Sequence, residues 1–351
     1  DCTLDPVFNS ATTEYSCTVK NNISSVTVNA TATSTKAKVR GLGTKDLTVG
    51  KNTLPIRIIA EDGSEKIYNV NVTRKREATL LKNEIMKNTV ITANPTLTTS
   101  SNNSNDESGL YKSTDTNTGK PTYYFRGNVE NNYVSFAGFT WRIVRINEDG
   151  TIRIIMQDGI NSNASYKFSS NYYEYTSMYY TNSLIKSPLE NWYQENIGSK
   201  SDLASSVAKG DYYCEQAKAK RYNYFTSGSA NMTYYKNYTP DFKCATDGNG
   251  KGVVNASVGL LTYDEVIYAG GYYQQVNSEF FLNNSTLYDW WTMSPDGVNN
   301  SFAHIWTVRG ALNTNDDDRS FASHIRPVLN LTANTQISDG NGTKANPFVV
   351  Q

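Results

Sequence analysis

The sequence FTWRIVRINEDGTIRIIM, residues 139–156, indicates two β-strands joined by a tight turn. β-Branched and aromatic residues, which favour strands, fill both halves, and turn-forming residues occupy Asn147 to Gly150. The segments at 123–127 and 133–136 have the same character. Together they predict an antiparallel meander that anchors the core of a domain in the later part of the chain.

Two segments after the meander carry the end signals of helices. Residues 187–197 begin with Ser187 as a predicted N-cap and Pro188 at the first helical position. Residues 262–270 begin with Thr262 as a predicted cap, have an acidic first turn and end with Gly270. We predict a helix over each segment.

Before the meander, residues 75–87 have apolar side chains at helical spacing between Leu80 and Met86, which predicts a helix. Residues 98–120 are mostly Ser, Thr, Asn, Asp and Gly, which predicts a surface loop. Residues 76–120 are therefore expected to be a helix and a surface loop leading into the second domain. Two later segments, 161–180 and 212–238, are predicted to be long Tyr/Asn/Ser loops.

The first 74 residues differ in pattern, because short β-branched segments alternate at period two and turn residues separate them about every ten residues. This pattern predicts a small antiparallel β-sandwich. The predicted strands are residues 15–19, 26–30, 56–59 and 67–72.

Three motifs make the prediction for the first domain more specific. They are FNSATTEY at 8–15, GKNT at 50–53, and AEDG at 60–63 leading into YNVNVTR at 68–74. With them, residues 1–75 resemble the cadherin-like β-sandwich domain of bacterial surface proteins. The resemblance implies a spacer in a stalk, which presents another domain and has no ligand of its own.

The composition excludes several classes of partner. A chain of 351 residues is long enough for two domains. Its 33 basic and 33 acidic residues give a net charge of zero, which disfavours nucleic acid and anionic membranes as partners. No segment approaches the roughly 20 apolar residues of a membrane span, so no membrane insertion is expected from these residues.

The four cysteines form two local pairs, Cys2 with Cys17 and Cys214 with Cys244. With no C-x-x-C motif and only two histidines, the sequence argues against zinc. Two disulfides, each contributing about 3 kcal/mol, would suit an extracellular protein. Buried free thiols are the alternative.

The carboxy-terminal region contains WWTMSP at 290–295, AHIWTV at 303–308, IRPVLNL at 325–331 and GTKANPF at 342–348. Together with the FTWRIV hairpin and the LTYDEV helix, these motifs resemble a bacterial group with a C-type-lectin-like fold. The group includes formylglycine-generating enzymes and the variable proteins of diversity-generating retroelements, and the closest likeness is to surface proteins of gut Firmicutes. The resemblance implies an α+β domain with long loops over residues 76–351, and a β-rich, two-domain chain overall.

In retroelement variable proteins the core stays fixed and exposed positions near the carboxy terminus bind the target. The resemblance therefore implies a ligand-binding window between the WTMSP and RPV motifs. Its mixture of aromatic, arginine and short hydrogen-bonding side chains is typical of a binding surface. The predicted binding residues are Asn299, Asn300, His304, Trp306, Arg309, Asn313, Asn315, Asp316, Asp317, Arg319, Ser323 and His324.

Trp306 alternates with Ile305 in a predicted strand, so one of the two is expected to face outward, and an outward tryptophan would anchor a ligand. The composition of the window fits adenine-directed mutagenesis of Asn codons, which yields Asn, Asp, Ser, Tyr and His. An AT-rich genome explains the same composition, and both explanations stay open. By contrast, Trp141, Trp192 and Trp291 are predicted core residues.

Catalysis is not expected. An oxidase like the formylglycine-generating enzymes needs two reactive cysteines, whereas Cys214 and Cys244 are expected to staple a loop. His304 and His324 have no nucleophile motif beside them. Arg326, which precedes Pro327, is expected to hold a buried carboxylate or carbonyl rather than a ligand.

No cofactor and no metal are expected either. The acidic run at 315–318 has oxygen ligands for a hard cation but is also an ordinary solvated turn. The segment DGNGKG at 247–252 begins like an EF-hand loop but has Val258 where the loop needs an acidic residue, so we predict a turn.

The sequence thus predicts a non-catalytic adhesin or receptor-type protein at the bacterial cell surface, with its anchor outside these residues. It is expected to recognise a protein or glycan on a host or neighbouring cell. A stalk module without a ligand and an enzyme related to formylglycine-generating enzymes are the alternatives.

Overall fold

The computed structural model is β-rich and divides into two compact units, Asp1–Thr79 and Leu80–Gln351. It describes residues 2–97, 108–169, 179–215, 239–246, 251–272, 277, 279–283, 287, 289–298, 303–309, 311–316 and 322–351.

The first unit consists of two small sheets, one with strand order β1-β6-β5-β3 and one that pairs β2 with β4. The predicted strands are confirmed, but β3 and β4 were not predicted because they are short and flank glycine turn residues. Although the sandwich was predicted to be antiparallel, β1 runs parallel to β6. The strands are β1 (Glu14–Val19), β2 (Ser25–Val28), β3 (Lys38–Arg40), β4 (Gly43–Asp46), β5 (Gly50–Ile59) and β6 (Glu65–Arg74).

Apolar packing, a side-chain hydrogen bond and a disulfide stabilise the first unit. Alternate residues of β1 are buried, and Cys17 and Val19 pack with Leu47 and Val72. The Tyr15 hydroxyl donates a hydrogen bond to the Asn9 carbonyl. The predicted Cys2–Cys17 disulfide is present and ties the segment before β1 to that strand. The core is small, so these polar and covalent links define much of the unit.

The second unit contains many more strands. They are β7 (Thr79–Leu80), which begins at the last residue of the first unit, β8 (Val90–Ile91), β9 (Gly109–Ser113), β10 (Thr122–Arg126), β11 (Tyr133–Phe136), β12 (Phe139–Ile146), β13 (Ile152–Met156), β14 (Ser165–Tyr166), β15 (Gly210–Cys214), β16 (Val253–Ala256), β17 (Val258–Gly259), β18 (Trp290–Val298), β19 (Ala303–Arg309), β20 (Ala311–Asp316), β21 (Ser323–His324), β22 (Val328–Leu331), β23 (Gln336–Asp339) and β24 (Phe348–Val350). The helices are α1 (Leu81–Ile85), α2 (Ile160–Asn163), α3 (Lys186–Tyr193), α4 (Ser201–Ser205) and α5 (Tyr263–Ala269), with a 3₁₀ turn at Tyr180–Asn182 and a π-helical turn at Gln194–Gly198.

The large sheet of this unit has the order β17-β22-β13-β12-β11-β24-β23, and β10, β9 and β8 extend from β12. The predicted meander is confirmed, since β12 and β13 pair in antiparallel register from Trp141 opposite Met156 to Ile146 opposite Ile152. A separate five-stranded sheet has the order β14-β21-β18-β19-β20, and β15 pairs with β16.

The predicted helix at residues 262–270 is confirmed in detail. Thr262 and Glu265 form a capping box, and Gly270 ends α5 at φ 117°, a left-handed conformation that favours glycine. The helix predicted over 187–197 is also present, but its predicted cap is wrong. It begins at Lys186 without a side-chain cap, because the preceding residue, Ile185, is fully buried and packing fixes the start.

The prediction for residues 76–120 is correct only in part. The helix is confined to α1, whose Leu81 and Ile85 are buried. The predicted surface loop contains β9, which is a correction. Leu110 and Tyr111 are buried there against β10, so two large apolar residues outweigh the polar composition around them. Residues 98–107 lie outside the described residues.

The long loops predicted at 161–180 and 212–238 are also interrupted by strands. Ser165–Tyr166 forms β14, and residues 212–214 belong to β15. Residues 170–178 and 216–238 lie outside the described residues.

The core of the second unit is aromatic and aliphatic. Trp141, Trp192 and Trp291 are buried in it, as predicted. Arg326 is fully buried and donates to the carbonyl oxygens of Met156 at 2.9 Å and Leu282 at 2.8 Å, so its predicted role is confirmed. None of the helices in the described ranges has the length and apolarity that a bilayer span requires.

Candidate functional site

The predicted binding window lies in the five-stranded sheet of the second unit. Strands β18 and β19 form a hairpin in which Trp290 is opposite Val308 and Trp291 is opposite Thr307. Strand β20 follows on the other side of β19 and, among the described strands, pairs with β19 alone. The part of the window on β19 and β20 therefore occupies one edge of this sheet, and its last two residues, Ser323 and His324, lie on β21 on the other side of β18.

Trp306 is not the exposed anchor that the sequence predicted. Its side chain has 0% exposure, and its ring centroid lies 4.0 Å from that of Tyr263. The neighbouring Ile305 is also buried. The alternation argument fails because β19 is covered on both faces, so neither neighbour has to point to solvent.

Two further predicted residues lie on β21. Ser323 is fully buried and cannot contact a ligand at the surface, which corrects its assignment. His324 is half-buried, and its Nδ1 lies 3.4 Å from both the Ser165 Oγ and the Ala164 carbonyl oxygen. Within the described part of the chain, no carboxylate orients this histidine.

The structure gives the backbone positions of several other predicted residues. His304 and Arg309 belong to β19, and Asn313, Asn315 and Asp316 belong to β20. Asn313 is opposite Thr307, and Asn315 is opposite Ile305. The remaining predicted residues, Asn299, Asn300, Asp317 and Arg319, lie outside the described residues, as do parts of the segments 315–318 and 247–252.

A second candidate, which the sequence did not predict, is a cavity of about 350 Å³ in the same unit. This volume is within the range of small-molecule sites. It lies beside the β12–β13 turn, the β15–β16 pair, residues 241–244 and the start of α5. Its lining residues are Asn117, Thr118, Arg145, Asn147, Glu148, Asp149, Arg153, Asp211, Tyr212, Cys214, Asp241, Phe242, Lys243, Cys244, Val253, Thr262 and Glu265.

The floor of the cavity contains a buried ion-pair triad. Glu265 Oε1 lies 3.1 Å from Arg145 Nε and 2.7 Å from Arg153 Nε. Burial alone would raise the pKa of Glu265, but Arg153 and Arg145 hold it below its ordinary value. Glu265 Oε2 also accepts a hydrogen bond from the Thr262 amide. The triad thus joins two strands to the N-terminus of α5 and fixes the floor.

The rim of the cavity includes a tyrosine held by an aspartate. The Tyr212 hydroxyl donates to Asp149 Oδ2 at 2.7 Å, and Asp149 Oδ1 accepts from the amide and hydroxyl of Thr151. Burial would raise the pKa of Asp149, but its hydrogen bonds with Thr151 and Tyr212 hold it low. Burial and the bond to Asp149 raise the pKa of Tyr212 to about 12. The Tyr212 ring is therefore fixed in position.

The predicted Cys214–Cys244 disulfide is present and forms part of the cavity wall, where it joins the end of β15 to residues 241–244. One sequence signal could have indicated this site. Arg145 and Arg153 lie within the hydrophobic strands of the meander, where an arginine needs a buried partner. The sequence alone does not say that Glu265 is that partner.

Residues 1–75 match the family model of the cadherin-like beta sandwich domain. This match confirms the resemblance of the first domain. No curated protein matches the chain. No solved structure matches it either.

Proposed function

We propose that this chain is a non-catalytic binding protein of the bacterial cell surface. The cadherin-like sandwich serves as a spacer, and the second unit, a domain of the C-type-lectin-like type, recognises a protein or glycan on a host or neighbouring cell. The site is the edge of the five-stranded sheet, on β19, β20 and their flanking segments.

The observation that carries this proposal is the buried aromatic base of the β18–β19 hairpin. Trp290, Trp291 and Trp306 are all buried, and the Thr292 hydroxyl donates to the Trp306 carbonyl at 2.8 Å. These contacts hold the two strands in one conformation. A rigid base of this kind lets neighbouring strands and loops vary without loss of the fold, which is how many binding domains are built.

The disulfides and the first domain support an extracellular location. Two disulfides link all four cysteines, which is typical of proteins in oxidising compartments. A β-sandwich spacer without buried charged residues in its described part is suited to presentation rather than to chemistry.

Binding of the full chain to arrays of proteins and glycans, and to bacterial and mammalian cells, tests the proposal. We expect the wild type to bind at least one target, and the double variant Asn313→Ala/Asn315→Ala to bind it about tenfold or more weakly. Asn128→Ala, an exposed asparagine outside this sheet, is the matched control and should bind like the wild type.

The absence of any wild-type binding would favour the stalk module without a ligand. Equal binding by the wild type and the double variant would show that the β20 edge is not the binding site.

We also propose that a retroelement diversifies this window. Sister copies of the chain from related strains test this directly, because diversification predicts substitutions concentrated between Asn299 and His324. Substitutions spread evenly over all exposed asparagines would contradict it and would indicate base composition instead.

A further inference from the structure

Asn147, one of the residues that line the cavity beside the β12–β13 turn, has an unused hydrogen-bond acceptor. Asn147 is buried, and its Nδ2 donates to Thr151 Oγ1 and to Asn330 Oδ1, each at 2.8 Å. Its Oδ1 is buried and has no hydrogen-bond partner among the described residues. A buried acceptor without a donor is costly, so this atom favours a ligand that brings a hydroxyl or amine to it.

The charges of the lining disfavour an anionic ligand. Carboxylates outnumber cations, and Glu265 already neutralises part of the charge of the two arginines. The cationic residues are Arg145, Arg153 and Lys243, and the acidic residues are Glu148, Asp149, Asp211, Asp241 and Glu265. A phosphate or carboxylate would meet net repulsion here.

The acidic groups of the lining already accept hydrogen bonds from neighbouring groups, and their remaining lone pairs can accept from the hydroxyl groups of a ligand. Thr118 donates to Glu148, and Asn255 donates to Asp211 at 3.0 Å. In the described ranges, no group of three or more such side chains is arranged to hold a metal ion. Arg145, 11% of whose side chain is exposed, adds a donor on the floor.

One wall of the cavity offers an aromatic surface. The Tyr212 ring is half-exposed in the lining, and its hydroxyl is held by Asp149. An aromatic ring beside several fixed hydrogen-bonding groups complements a ligand that has both C–H faces and hydroxyl groups.

We infer that this cavity is a second binding site, independent of the sheet edge proposed above, and that its ligand is a neutral saccharide. Sugar hydroxyls donate to Asn147 Oδ1 and the rim carboxylates, a sugar oxygen accepts from Arg145, and a sugar face packs on Tyr212. The Cys214–Cys244 disulfide holds the wall that carries Tyr212 against residues 241–244.

Saturation-transfer NMR and calorimetry on the full, oxidised chain test this site. The probes are cellobiose, maltose, lactose and mannobiose as neutral disaccharides, sialyllactose as an anion and spermidine as a cation. We expect the wild type to bind at least one neutral disaccharide in preference to sialyllactose and spermidine. Tyr212→Ala should weaken this binding about tenfold or more, whereas Asn128→Ala, at an exposed residue outside the cavity, should leave it unchanged.

A second variant avoids any change to the buried floor. Val253 is exposed on the rim, so Val253→Trp should block the mouth of the cavity and abolish disaccharide binding without loss of the fold. Circular dichroism checks folding, because the added tryptophan would itself change the fluorescence of the five that the second unit already contains.

The inference is wrong if no neutral disaccharide binds the wild type, if only spermidine or sialyllactose binds, or if both Tyr212→Ala and Val253→Trp bind as the wild type does. The double variant Asn313→Ala/Asn315→Ala should bind the disaccharide normally. Failure at this site is thus distinguishable from failure at the sheet edge.

Discussion

Each of the two units of this chain is stabilised by a different kind of interior. In the first unit the described charged side chains all lie outside the core, which is a small cluster around Cys17, Val19 and Val72. In the second unit a large aromatic core surrounds charged groups. The buried arginines described there are Arg126, Arg142, Arg145, Arg153 and Arg326.

These arginines serve as connectors between distant parts of the fold. Arg126 Nη1 donates to the Ile267 carbonyl at 2.6 Å, and Arg326 bonds two carbonyls in other segments. Burial lowers the pKa of Arg326 to about 9, and the nearby Arg142 adds to this effect. A small domain can rely on apolar burial and a covalent link, whereas a large domain with many loops uses buried charges to fix them.

The largest expected effect concerns the triad of the second unit. Glu265→Gln should lower the free energy of unfolding by about 3–5 kcal/mol, because two buried arginines lose their carboxylate. Denaturant unfolding followed by tryptophan fluorescence measures it. The control is Glu190→Gln, which removes a partly exposed pair with Lys186 and should cost less than about 1 kcal/mol. Equal effects of the two changes would show that the buried triad stabilises the second unit no more than a partly exposed ion pair does.

The lowered pKa of Glu265 predicts that the effect of Glu265→Gln on stability depends on pH. The pKa of Glu265 is lowered in the folded state, so its contribution to stability is present above its ordinary value of 4.5 and is lost as the pH falls through the lowered value. Glu215 has the opposite shift, since burial raises its pKa. Its contribution is present below 4.5 and is lost as the pH rises through the raised value. The difference in unfolding free energy between the wild type and Glu265→Gln should therefore increase as the pH rises through the acidic range. The corresponding difference for Glu215→Gln should decrease.

A smaller effect is expected for the disulfide of the first unit. The double variant Cys2→Ser/Cys17→Ser should destabilise this unit by about 3 kcal/mol, because the crosslink no longer restricts the unfolded chain. Faster hydrogen exchange of the β1 amides would report it, while the tryptophan fluorescence transition of the second unit should stay unchanged. Unchanged exchange in β1 would show that the small apolar core suffices without the disulfide.

The smallest effect is expected at the surface of the first unit. Lys36 and Glu61 form an ion pair at 2.9 Å, and both side chains are 67% exposed. Glu61→Gln should change the stability of this unit by less than about 1 kcal/mol, with a weaker effect still at high salt. Hydrogen exchange of β5 amides measures it, and a loss comparable to that of Glu265→Gln would contradict the comparison.

Local patterns in the sequence were sufficient for the elements whose signals are local. The alternation in β1 predicted its buried face, and the Thr262–Glu265 cap with Gly270 predicted α5, because these features depend on neighbours within a few residues. The β12–β13 hairpin followed from composition and turn residues in the same way.

The errors arose where distant parts of the chain decide the outcome. Trp306 is buried because β19 is covered on both faces, which the two-residue period cannot show. Among the predicted binding residues, Trp306 and Ser323 have buried side chains. The cavity could not be predicted because Arg145 and Glu265 meet across 120 positions of sequence. Its residues carry no shared motif that would indicate such a meeting.

The long reach of the buried arginines also bears on how the chain matures. During synthesis Arg145 leaves the ribosome 120 residues before Glu265, and Arg326 emerges 170 residues after the carbonyl of Met156 that it will bind. The early strands cannot bury their cations until these later segments have been made, so the larger unit cannot complete its folding before Arg326 has left the ribosome. The smaller unit, Asp1–Thr79, has a core of its own and can fold while the rest is still being made.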